Sequence, residues 1–82
     1  MVASLHTKRY ELFRGLLAEA RRSQGLTQVE LATKLKVNQS FVSKYENGER
    51  RLDVTEFIDI ANALNIDAYE LLNTYTKKSV TL

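Results

Sequence analysis

A chain of 82 residues with 44% hydrophobic residues, a formal charge of +2, three Gly, no Pro and no Cys is expected to form one small domain. The missing cysteines exclude a disulfide framework, a thiolate metal site and a thiol nucleophile, and no apolar run reaches the roughly 18 residues of a membrane-spanning helix. Few breakers favour helices over a sheet joined by turns, so the expected class is all-α, in a soluble cytoplasmic protein without a membrane partner.

The first helix is predicted from about Thr7 to Ser23, where Phe13, Leu16, Leu17 and Ala20 recur at the spacing of one buried stripe. Its Lys8, Arg9, Arg14, Arg21 and Arg22 imitate a transit peptide, but Glu11 and Glu19 interrupt that pattern. His6 stands alone near the terminus and has no partner for ligation or catalysis. Gly25 suits a left-handed C-terminal cap. The second helix starts at Thr27, with Glu30 three residues on as a capping box, and carries Val29, Leu31, Ala32 and Leu35.

Asn38 opens a third helix that Asn47 and Gly48 end. Asn-Gly also marks hairpins, but the helical spacing of Phe41, Val42 and Tyr45 before it decides against one. Asp53 caps a fourth helix with the stripe Val54, Phe57, Ile58, Ala61 and Leu64, closed by Asn65. Asp67 opens a short fifth with Ala68, Leu71, Leu72 and Tyr75. Residues 77–82 remain as a short tail, frayed or paired as a small strand, too short for a small-molecule effector domain.

Two short helices joined by a tight turn, with small Ala32 where they approach, form a helix-turn-helix unit over about 27–47. With Val42 and Tyr45 turned inward, Gln39, Ser40, Ser43, Lys44 and Asn47 share the outer face of the third helix. Gln can bond adenine through two contacts, Lys can bond guanine acceptors, and Ser suits several bases, so the face fits the floor of a DNA major groove. Thr27 and Gln28 at the start of the second helix, and Asn47, Arg50 and Arg51 past the third, suit phosphate. Phe41 either presses on sugar, phosphate or a thymine methyl, or partly covers the core.

The run Leu26 to Asp53, with Thr27-Gln28, Glu30-Leu31-Ala32, Ser43, Glu46-Asn47-Gly48 and the arginine after it, resembles the phage-repressor and Cro (XRE-like) helix-turn-helix family, and the likeness extends from about Arg21 to Leu72. The resemblance implies a compact five-helix, lambda-repressor-like domain, without cofactor, that binds double-stranded DNA as a homodimer on a two-fold symmetric operator. It implies that Gln28 and Thr33 touch phosphate and that Gln39, Ser40 and Lys44 read bases. It places Ser43 near the backbone or groove edge, Asn47, Arg50 and Arg51 on phosphate, and Arg21 with Glu46 in a buried ion pair. Lys36 stands where the family commonly has Gly. Either it accepts a left-handed strain of roughly 1–2 kcal/mol, or the turn takes another path.

Residues 1–51 carry ten Lys and Arg against five Asp and Glu, whereas 52–76 carry five acids and no Lys or Arg. Such polarity keeps one end near a polyanion and the other away from it. A homodimer is therefore expected to meet through the C-terminal third, at Ile60, Leu72 and Tyr75. No His/carboxylate cluster or Gly-rich phosphate loop supports an enzyme. The alternative is an adaptor or antitoxin that binds another protein, which would be expected to expose an apolar groove.

Overall fold

Side-chain caps divide the chain into its helices. Thr7, Thr27, Asp53 and Asp67 each turn an oxygen onto a backbone N–H of the helical turn that follows, satisfying donors that helix starts leave unpaired. At the other ends, Gly25, Lys36, Gly48 and Asn65 all adopt positive φ. After each, an N–H returns five residues: Leu26 to Arg21, Val37 to Ala32, Glu49 to Lys44 and Ile66 to Ala61. Four successive helices thus end in one type of left-handed cap, the Schellman motif.

The structure, a computed structural model, describes residues 7–82. It contains α1 (Lys8–Ser23), α2 (Gln28–Leu35), α3 (Gln39–Asn47), α4 (Val54–Ala63) and α5 (Ala68–Ser79). The expected all-α, five-helix class is the one observed, and His6 lies outside the described residues. Among these, no helix is long and apolar enough to cross a membrane.

Leu17, Leu31, Val42, Tyr45, Ile60 and Leu64 are the large, fully buried side chains. They come from α1, α2, α3 and α4 with its cap, and Leu71 of α5 joins them. Neither α2 nor α3 is long enough to bury such a core alone, so α1, α4 and α5 form the block that carries them. Phe13 ties α1 to both later helices, its ring 5.3 Å from that of Phe57 and 6.1 Å from that of Tyr75.

Three sequence expectations are corrected here. The stripe of α4 is displaced: Ile60 is 1% exposed, while Val54 and Ile58 are 72% and 43% exposed. Ile60 is therefore a core residue and has no surface to offer a partner. Val29 of α2 is likewise exposed. Finally, α5 continues through Lys77 and Lys78 to Ser79 and is followed by a turn, so the first half of 77–82 is helix and none of it is strand.

Candidate nucleic-acid interface

The outer face of α3 is polar because its inner face is committed. Val42 and Tyr45 are both 0% exposed, which turns Gln39, Ser40, Lys44 and Asn47 to solvent and leaves Ser43 half-buried. Asn47 Nδ2 donates to Ser43 Oγ at 3.3 Å, one helical turn back. Phe41 is half-buried and packs against the core, its ring 5.7 Å from that of Tyr45. Between its two expected roles, it partly covers the core.

A hydrogen-bonded chain runs from this face into the protein. Gln39 Nε2 donates to Gln28 Oε1 at 3.3 Å. Gln28 Nε2 donates to Glu46 Oε1 at 3.0 Å. Arg21 then grips both carboxylate oxygens, Nε at 2.8 Å and Nη2 at 3.1 Å, and its Nη1 donates to the Leu26 carbonyl at 2.7 Å. The Arg21 and Glu46 side chains are only 10% and 5% exposed, so each charge needs the other. The hydrogen bond to Glu46 raises the Arg21 pKa further. Gln28, expected at a phosphate, is thus the link between this buried pair and Gln39.

A further contributor comes from α1. Arg14 Nη1 donates to the Glu46 carbonyl at 2.8 Å, and its guanidinium would stand 3.0 Å from any Cβ on Gly48. Gly48 is therefore favoured twice, by its φ of 81° and by the close guanidinium of Arg14, which a Cβ would push aside. Arg14 lies 32 residues from its partner, and nothing in the local pattern of α1 marks it out.

At the start of α2, Thr27 Oγ1 accepts the Glu30 N–H at 3.0 Å and Glu30 Oε1 accepts the Thr27 N–H at 2.8 Å. These bonds lower the Glu30 pKa. The Gln28 and Val29 N–H groups are the donors that such a start leaves for a phosphate. Thr33 is exposed farther along α2, its hydroxyl donating to the Val29 carbonyl at 3.0 Å.

The loop after α3 is held by α1 and α4. Tyr10 Oη accepts the Leu52 N–H at 2.9 Å, and the Arg51 guanidinium lies 4.7 Å from the centre of the Tyr10 ring, with Arg51 exposed. Arg50 differs. Its Nη1 and Nη2 fork onto Glu56 Oε1 and Oε2 at 3.0 and 2.8 Å, and Nη1 also donates to the Arg51 carbonyl at 3.1 Å. The guanidinium covers the Phe41 ring at 4.7 Å. Expected to be a phosphate ligand, Arg50 already has a carboxylate partner, Glu56, six residues on.

On α4 and α5, Val54, Ile58, Tyr69 and Leu72 are exposed together and line an apolar groove with Phe57 and Ile66, rimmed by Asp53 and Asp67. Of the expected dimer residues only Leu72 belongs to this groove. Tyr75 stacks edge-on against Phe13.

A family model described as helix-turn-helix matches residues 17–71. Among solved structures, an XRE-family-like protein from Pseudomonas syringae pv. tomato is 49% identical, with 89% of each chain covered and a TM-score of 0.84. The restriction-modification controller C.AhdI from Aeromonas hydrophila is 33% identical over 73% of this chain and 91% of its own, with a TM-score of 0.68. At 20% identity the clp gene regulator ClgR from Corynebacterium glutamicum shares the fold, covering 92% of this chain and 80% of its own at a TM-score of 0.78. A search of curated protein sequences finds no match.

Proposed function

Since the chain belongs to the XRE-type helix-turn-helix family of DNA-binding transcription regulators, we propose that it binds a two-fold symmetric operator as a homodimer, with α3 in the major groove. Gln39, Ser40, Ser43 and Lys44 read base edges. Thr27, Thr33, Asn47, Arg51 and the backbone N–H of Gln28 set the register on phosphate. The observation that carries the reading is the Gln39–Gln28–Glu46–Arg21 chain, which holds a base-reading side chain in place from the core. Such pre-ordering is of use to a helix that must present donors and acceptors in register, and of none to a solvated surface.

One copy of α3 covers too few base pairs for useful specificity, and two copies multiply it. The groove of Val54, Ile58, Tyr69 and Leu72 is the apolar surface that a second copy would cover. Its acidic rim and the acidic stretch 52–76 keep it away from phosphate. Paired there, two α3 helices must lie about 34 Å apart, one turn of DNA. Regulation then follows from mass action: occupancy of a promoter site represses, or a polymerase contact activates. The similarity to a restriction-modification controller supports such a small regulator.

Selection of bound duplexes from a random library, with sedimentation of the protein at micromolar concentration, tests the proposal. An inverted repeat with half-sites about one helical turn apart, bound by a dimer that Ile58→Asp and Leu72→Asp dissociate, is the expected result. An unenriched library, or a strict monomer on and off DNA, would refute it.

A further inference from the structure

Among the described residues, the side-chain hydrogen bonds that leave α3 run to α1 and α2, through Arg14, Arg21 and Gln28, and none runs to α4. The polar link to α4 comes from Arg50, three residues beyond the end of α3. Its fork on Glu56 reaches a carboxylate that is itself fixed, because Glu56 Oε1 also accepts the Asp53 N–H at 3.0 Å in the capping box of α4. Phe41 lies beneath the guanidinium, beside Ser40 on the first turn of α3. One planar cation thus touches the reading helix through its face and α4 through its edge. The side chains of Arg50 and Glu56 are 41% and 26% exposed, so the pair is neither a loose surface contact nor a buried necessity.

We propose that Arg50 is a positioning residue, which fixes the angle of α3 against α4 and so the sequence discrimination of the dimer, and that it is not a phosphate ligand. The proposal rests on the DNA-binding reading above. The geometry supports it: Nη1 is committed to Glu56 Oε1 and the Arg51 carbonyl and Nη2 to Glu56 Oε2, which leaves a phosphate only the Nε–H and one Nη2–H. Only arginine supplies both a fork for Glu56 and a flat cation for Phe41, whereas lysine keeps the charge and loses both. Because α4 also carries Val54 and Ile58 of the proposed dimer groove, the angle Arg50 sets would carry over to the relation between the two reading helices.

The test compares Arg50→Lys, Arg50→Ala and Glu56→Gln in the full chain, the last retaining a side chain that can serve at this capping position. Affinity is measured for the selected operator and for a random-sequence duplex over a range of salt, well below the melting temperature of each variant, with folding checked by circular dichroism. The expected result is that all three lose operator affinity at least about fivefold, a change of about 1 kcal/mol, while random-duplex affinity stays within about twofold. The slope of log K against log salt should stay within about half a unit of the unmodified protein. The proposal is overturned if Arg50→Lys binds as the unmodified chain does while Arg50→Ala loses about one unit of slope. Tighter random-duplex binding by Glu56→Gln would overturn it too, as the mark of a phosphate ligand set free. If the unmodified chain bound neither duplex, the DNA-binding reading would be the one to fail.

Discussion

Removing either member of the Arg21–Glu46 pair should be far more harmful than replacing both. Glu46 accepts two hydrogen bonds from Arg21 and one from Gln28, and both charged side chains are at most 10% exposed. Arg21→Ala leaves the Glu46 carboxylate without its counter-charge, and Glu46→Ala leaves a guanidinium with only the Leu26 carbonyl. Each should cost about 3–5 kcal/mol. A domain of this length has only about 4–12 kcal/mol in all, so each single variant becomes marginal. The double replacement Arg21→Met with Glu46→Leu fills the same space without buried charge and should cost less than either single change. Urea denaturation followed by far-UV circular dichroism supplies the four free energies. With a slope of about 1 kcal/mol per molar, each single variant should lose about 3 M or more in midpoint, or be unfolded without urea. Additivity within about 0.5 kcal/mol would refute the reasoning.

Lys36 holds φ 59° and ψ 43° in the turn between α2 and α3. Lys36→Gly should therefore raise stability by about 0.5–1 kcal/mol, the left-handed strain relieved less the extra freedom of unfolded glycine, as read from the urea midpoint. The Tyr45 hydroxyl is buried with no hydrogen-bond partner among the described residues, and burial pushes its pKa up. Tyr45→Phe should be neutral or stabilising by about 1 kcal/mol, and a loss of more than that in thermal unfolding would mean the hydroxyl has a partner. Arg50, and then the Asp53 N–H, hold the Glu56 pKa below its ordinary 4.5. That stabilisation is present above pH 4.5 and is lost as pH falls through the lower native value. Glu56→Gln should flatten the stability curve across that acid limb, and an unchanged limb would contradict the pairing.

Much of the fold was legible because its punctuation is local. Thr27 with Glu30, Asp53, Asp67, Gly25, Gly48 and Asn65 mark helix ends by chemistry that operates within a turn. The phase of α4 was not legible. Val54, Phe57, Ile58 and Ala61 share the spacing of Phe57, Ile60, Ala61 and Leu64, and only packing against α1 to α3 chooses the second set and places Ile60 inside. The end of α5 was missed because Thr76 to Ser79 are polar, all but Ser79 exposed, and carry no apolar rhythm. At the interface, the family pattern located Arg21 and Glu46 across 25 residues. It gave no sign of Arg14 over Gly48. Nor did it give any of Arg50 on Glu56, six residues apart across a loop and a cap, where no helical or strand spacing applies.

The central claim is that α3 reads sequence, and binding-site selection repeated with Gln39→Ala and Lys44→Ala tests it most directly. Each substitution should relax preference at its own base pairs, symmetrically in the two half-sites, with about 1–3 kcal/mol of discrimination lost there and other positions unchanged. Selected sequences identical to those of the unmodified chain, for both variants, would contradict the account and place the reading surface elsewhere.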